Sequence, residues 1–391
     1  MRYIDNIHLH KAFLLFLTSL NGVGPKTIMK ILKVSQQRQL TIEDFWVNRA
    51  HIWQEISFSK KTIESIKKFK KEHNLLDNLA QLEASGIQVL TFEEEHYPKL
   101  LLMTDDFPIV LFIKSQIKVG SSAWQTAFAN TISVVGTRKM TAYGQLVIRK
   151  LIPPLIAAGK TIVSGFMYGV DLAAAKTTID HQGQTIAVLG FGFDHCFPAS
   201  QKKTMQEFLA QNAIFISEFP PATRARAANF VIRNRIVAGL SKATLIIEAA
   251  KHSGSHITAS YANDYGRLVM AVPGPITNPF SEGTKMLITQ GAILVNSAAD
   301  ILNEMQEDYH FGFLPPTTNG EKAVTAQNNV HGQNNPQLQI LLENLTFYPE
   351  LAFEDLLIST KLDPALLNQL LFDLELQGKI IKKWGKYCLV S

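Results

Sequence analysis

The chain has 391 residues, enough for two or three domains, and its 46% hydrophobic and 18% charged residues exclude a disordered or collagen-like polypeptide. Lysine and arginine (38) exceed aspartate and glutamate (33) by only five, so the placement of charge says more than its sum. Two distant cysteines, Cys196 and Cys388, exclude a disulfide framework or zinc finger and suit a reducing cytoplasm; no apolar run approaches membrane-span length, and residues 1–10 lack the order of a secretory signal.

Residues 1–90 read as a helical module, because apolar side chains recur at spacings of three and four in Phe13–Leu20, Ile28–Leu32 and Ile63–Phe69. This stretch carries 13 basic and 8 acidic residues. Its Gly22-Val23-Gly24 turn is similar to the one that helix–hairpin–helix modules set against DNA phosphates, and such a turn also serves structure alone. A Pro-containing connector follows, with the apolar run Ile109–Ile113. From residue 131 the pattern changes. Strand-length apolar runs, Thr131–Val135, Thr161–Ser164, Thr185–Leu189, Ala213–Ser217, Ala243–Ile247, Leu268–Val272 and Ala292–Val295, alternate with helix-length segments. Continuous apolar strands separated by helices predict an α/β fold: a Rossmann-like three-layer core with a mostly parallel sheet over residues 91–309. Residues 310–337, rich in Asn, Gln, Gly, Thr and Pro, read as a flexible linker. Residues 338–391 show helical periodicity and then a hairpin turning at Gly385, the outline of a winged-helix-like domain; residues 336–391 hold five basic and seven acidic side chains.

Four segments carry residue types suited to phosphate. Gly136-Thr137-Arg138 follows the first strand of the parallel run. Glycine there lets backbone approach a ligand and Arg138 adds charge, or the segment is a tight turn with a solvated arginine. Gly165 and Gly169, four apart after the next strand, suit close anion approach, and Asp171 either orients that loop or caps the helix that follows. Phe230 with Arg233, Asn234 and Arg235 lies in the basic stretch 221–255, which holds six basic residues and one acid. An aromatic beside guanidinium groups is what single-stranded nucleic acid needs, and equally describes a core ring with two solvated arginines. Ser253-Gly254-Ser255, with Thr258 beyond, opens a helix after a strand and offers amides and hydroxyls. His252 and His256 lie four apart, but no glutamate follows the first and Gly254 separates them, so no metal site is expected.

Taken in order, Gly-Thr-Arg, Ser-Gly-x-x-x-Gly-x-Asp, Ile-Ala-Val-Leu-Gly-x-Gly-x-Asp, Ser-Glu-x-Pro-Pro, Asn-Phe-x-x-Arg-Asn-Arg-Ile-x-x-Gly-Leu-Ser, Glu-Ala-x-x-x-Ser-Gly-Ser-x-x-Thr-Ala and Ala-Val-Pro-Gly resemble the DNA-processing protein A (DprA/Smf) family over residues ~90–305. The resemblance implies a cytoplasmic, non-enzymatic homodimer without cofactor. It would bind and protect single-stranded DNA and help load RecA during natural transformation. It also implies a DNA site made of Gly136, Arg138, Gly165, Gly169, Phe230, Arg233, Asn234, Arg235, Ser253, Gly254, Ser255 and Thr258. Tyr168 departs from the family pattern, standing where an arginine is usual. The alternative is a nucleotide-binding or phosphoribohydrolase-like enzyme of the same fold family, with Glu218 or Glu248 as its acid. Its Pro-Gly-Gly-x-Gly-Thr loop is replaced here by Ser-Gly-Ser-x-x-Thr. A transcription factor driven by the tail is a third reading, weakened by the tail's negative charge.

Overall fold

A computed structural model describes residues 2–20, 22–38, 58, 60–72 and 74–306, and in the C-terminal part 341, 345, 351–360 and further positions from 362 to 389. The expected linker at 310–337 and the Gly385 turn lie outside the described residues. The chain divides into two compact units, Met1–His310 and Phe311–Ser391.

Seven strands of the first unit, β3 (Thr131–Val135), β4 (Thr161–Ser164), β5 (Thr185–Leu189), β6 (Ile214–Ser217), β7 (Ala243–Ile246), β8 (Leu268–Ala271) and β9 (Ile293–Leu294), are mutually parallel, in the order β6-β5-β4-β3-β7-β8-β9. Every residue of β3, β4, β5, β6 and β7 is buried. Their largely apolar, charge-free runs follow from that, since helices cover both faces. The chain winds from β3 out to β6, then returns across β3 to lay down β7, β8 and β9. The direction of winding reverses beside β3, and the carboxyl ends of β3, β4 and β7 therefore bound a crevice. Hydroxyls of β3 hold the helix Ala227–Gly239 against the sheet: Thr131 donates to the Leu240 carbonyl at 2.6 Å and Ser133 to the Val237 carbonyl at 2.7 Å.

Two further strands make the sheet mixed. β1 (Gln88–Thr91) and β2 (Val110–Lys114) pair antiparallel, and β2 runs antiparallel to β6. The run at 109–113 is thus an edge-ward strand rather than part of a connector. Its continuous hydrophobicity has a physical origin: Val110 and Phe112 pack into a cluster with the N-terminal helices, and Leu111 and Ile113 into the opposite one with Tyr97 and Trp124. The N-terminal helices, Arg2–Ser19, Pro25–Arg38, Lys60–Glu72 and Leu75–Ala84, hence share a core with the sheet. Phe13, Phe16, Leu17, Ile28, Ile31 and Ile66 are buried in it.

In the second unit, β11 (Ile380–Lys383) and β12 (Lys386–Leu389) form an antiparallel pair with Lys383 opposite Lys386. A short third strand, β10 (Leu351–Ala352), pairs with β12. The helix Phe353–Thr360 buries Leu356 in a cluster with Leu367, Leu370, Leu371, Leu374, Ile380 and Tyr387.

Candidate nucleic-acid interface

The crevice beside β3 is a cavity of about 550 Å3. Ten of the twelve residues expected in a DNA site line it: Gly136, Arg138, Gly165, Phe230, Arg233, Asn234, Ser253, Gly254, Ser255 and Thr258. Residues at the amino ends of three helices, Val170–Asp180, Ala227–Gly239 and Ser255–Asp264, contribute Asp171, Ala227 and Ser255 to its wall. None of the three helices has a side-chain cap. Several of their first-turn amides are taken up locally, Val170 by the Thr137 carbonyl and His256 by the Ser253 carbonyl, so what the three helix starts offer an anion in common is their aligned dipoles.

Arg138 is exposed, and its guanidinium carbon lies 5.6 Å from the centre of the Phe230 ring. Arg226, also exposed, sits on the same wall. These two arginines are the cations the cavity offers to solvent. Thr137 behaves differently: it is buried, and its hydroxyl accepts from the Lys139 amide at 3.1 Å within its own turn.

Arg233 and Arg235 are both buried and serve the protein itself. Arg233 Nη1 donates to the Gly165 carbonyl at 2.5 Å and to the Val188 carbonyl, and its Nε donates to Asn234 Oδ1 at 3.2 Å. Arg235, two residues on, points away from the cavity. Its guanidinium pairs with Glu218 and donates to the Asp106 carbonyl at 2.6 Å. Tyr265 donates to Asp106 Oδ1 at 2.5 Å in the same network. Helix geometry sends residues two apart to different faces, and here both faces are covered. The structure therefore does not bring Arg235 to the site.

The glycines also divide. A side chain at Gly165 would strike Arg233 Nη2 at 2.5 Å and Asp171 Oδ2 at 2.6 Å, and one at Gly136 would strike Val170 Cγ2 at 2.7 Å and the Glu248 carbonyl at 2.8 Å. Gly169, with φ +82, does not line the cavity, and a side chain there would overlap the Thr137 carbonyl. These glycines let loops approach one another. Only Gly254 among the predicted four has open space where a side chain would stand.

Phe230 is 9% exposed and packs 6.5 Å from Phe191 and 5.5 Å from Phe197. It is a floor rather than an open stacking face. Phe197, 43% exposed and lining the same cavity, presents the more accessible ring. Sequence reading missed it because the loop after β5 carries no periodicity. Arg226 was within the basic stretch and could have been singled out there.

Asp171 orients the loop before its helix: its Oδ2 accepts from the Gly165 amide at 3.0 Å. Burial pushes its carboxyl up to about 6, against the opposing pull of Arg233. Burial lowers Arg233 to about 10, which still leaves it charged at neutral pH. An acid raised on folding stabilises fully below its unfolded pKa, and that contribution is lost as pH rises through the folded value. The stability of the wild type relative to Asp171→Asn should therefore fall between about pH 4 and pH 6, by up to roughly 3 kcal/mol. Denaturant titrations of both proteins across that range test this, and a constant difference would refute it.

Glu218 and Glu248 are each occupied. Glu218 holds Arg235. Glu248, 1% exposed, accepts from the Thr141 amide at 2.9 Å, the Thr141 hydroxyl at 2.6 Å and Asn278 Nδ2 at 3.1 Å, so it ties the start of helix Ala142–Ala157 to the end of β7. Among the described residues no three His, Cys, Asp or Glu side chains group as a metal site. No described helix is long and apolar enough to cross a membrane.

Known proteins place this architecture. The model of the family described as DNA recombination-mediator protein A matches residues 88–306, the stretch from β1 through the last helix of the sheet domain. Protein Smf of Escherichia coli is 38% identical over 256 residues, 66% of this chain and 63% of that protein, so the match spans just under two thirds of the relative. DNA processing protein DprA of Bacillus subtilis is 36% identical over 229 residues, 59% of this chain and 75% of the relative. The solved structure of DNA processing protein A from Streptococcus pneumoniae is similar with a TM-score of 0.63 at 28% identity, covering 75% of this chain and 97% of that one. With the family model covering more than half of its length, including every cavity-lining residue, the chain belongs to the DNA recombination-mediator protein A family.

Proposed function

We propose that this protein is a recombination mediator that binds single-stranded DNA in the cavity beside β3. The observation that carries the reading is the meeting of three helix starts with two exposed arginines, Arg138 and Arg226, in one cleft. Such a cleft suits phosphates, and the exposed ring of Phe197 suits an unpaired base. A single strand fits better than a duplex, since a cleft between strand-end turns suits one backbone and an unpaired base.

We further infer that it acts in the cytoplasm as a homodimer, covers the incoming strand and delivers it to RecA during natural transformation. The second unit is read as a winged-helix-like domain whose acidic balance suits a protein partner better than DNA. The enzyme reading needs a free acid, and Glu218 and Glu248 are both bound within the fold.

Fluorescence titrations with single- and double-stranded oligonucleotides at several salt concentrations test the proposal. Affinity should favour the single strand and fall steeply with salt. Arg138→Ala, at an exposed position, should leave folding intact and flatten the salt slope by about 0.7–0.9, one phosphate's worth. Equal affinity for duplex, or an unchanged slope, would overturn the reading.

A further inference from the structure

The positive charge of the N-terminal helices plays no part in the cavity. Helix Pro25–Arg38 contains no acidic residue and buries Ile28 and Ile31 in the N-terminal core. That packing turns Lys26, Lys30 and Lys33 to solvent. Their spacings of four and three place them in one stripe along the helix. At ~1.5 Å rise per residue they stand about 6 and 4.5 Å apart along the axis, comparable with one to two nucleotide steps of ~3.4 Å. Among the described residues none of the three has an acidic partner.

The second basic helix, Lys60–Glu72, packs against the same partner through Phe69, whose ring lies 4.8 Å from that of Phe16. It leaves Lys60, Lys61, Lys67 and Lys71 exposed. This helical group adjoins the cavity through the loop after β5. Phe193 of that loop packs both against the N-terminal core and against the cluster containing Phe230, and Phe197 of the same loop lines the cavity.

We propose that the lysine face of helix Pro25–Arg38 is a second phosphate-binding surface, which takes the nucleic-acid backbone beyond the part held in the cavity. The proposal rests on the cavity reading above. A polybasic face also attracts anionic lipid, but the only large apolar side chain exposed along this helix is Met29, too little to enter a bilayer interface.

The test uses the full chain with Lys26→Gln, Lys30→Gln and Lys33→Gln combined, against single-stranded oligonucleotides of about 6 and about 30 nucleotides, the shorter within one site. With the longer strand, losing three phosphate contacts should lower the salt slope by about 2 and weaken binding about a hundredfold at ~0.1 M salt. With the shorter strand, affinity should stay at the wild-type value. An unchanged slope on the longer strand overturns the lysine surface, as does an equal loss on both lengths. So does a defect confined to phosphatidylglycerol vesicles. If Arg138→Ala weakens the short strand while the triple variant changes nothing, the cavity stands and this surface alone falls. If the wild type binds neither strand, both fall.

Discussion

Arg233→Met should cost about 3–5 kcal/mol of stability, the usual penalty for deleting one partner of a buried charged network. The guanidinium joins the carboxyl ends of two adjacent strands, through the carbonyls of Gly165 after β4 and Val188 in β5. It also supplies the main positive charge beside buried Asp171. Methionine fills similar volume, so packing is kept and the loss falls on two unsatisfied carbonyls and an uncompensated carboxylate. The double variant Arg233→Met/Asp171→Asn should recover part of that loss, because neutralising the carboxyl removes the buried charge. A double-mutant cycle by denaturant unfolding measures the coupling. A single-variant loss below about 1 kcal/mol, or strict additivity, would show that the network is not what holds the loop.

Among the four glycines expected in the site, Gly169→Ala should be the most damaging substitution and Gly254→Ala the most benign for folding. At Gly169 the backbone has φ +82, and a methyl would overlap the Thr137 carbonyl and lie 2.7 Å from the Arg138 carbonyl carbon. Both obstacles are backbone, so relief requires moving the turn that carries Arg138. A loss of more than about 3 kcal/mol is expected, combining strain at positive φ with overpacking. Any folded remainder should bind oligonucleotide poorly. Gly254 has ordinary φ and open space around it, so alanine there should leave the melting temperature within about 2 °C of wild type. Its effect belongs to binding: if a phosphate approaches that helix start, affinity drops while stability holds. Equal melting temperatures for the two variants would mean that the loops are not locked together as described.

The strands from 131 onward were legible because each is a short, charge-free and largely apolar run between turn residues, and burial on both faces of the central five favours that pattern. The run at 109–113 has the same signature, yet its antiparallel pairing with β6 depends on a partner a hundred residues away. Periodicity carries no such information. The cavity's composition was legible too: ten expected residues converge on it. Their individual roles were not. Arg233 and Arg235 look alike in sequence, and their fates are set by what each helix face meets, a Gly165 carbonyl in one case and Glu218 in the other. Gly136, Gly169 and Gly254 all follow strands, but only contact geometry separates glycines that admit a neighbouring loop from one that faces open space. Phe197 had no sequence signal, because its exposure arises from the course of a loop.

The way the cavity loops brace one another bears on the heat of binding. The Thr137 amide donates to the Glu248 carbonyl at 2.7 Å, and the Val170 amide donates to the Thr137 carbonyl at 3.2 Å, so three strand-end turns hold each other before any strand arrives. A receptor assembled in advance surrenders little of its own conformational freedom on association. For the single strand proposed as ligand, the ordering penalty would then fall almost wholly on that strand, whose backbone and unstacked bases are the mobile partner. Strands already stiffened by base stacking would pay less of it on entering a fixed cleft, provided their bases need not unstack there. Calorimetry would therefore register the difference between two oligonucleotides chiefly as a property of the oligonucleotides.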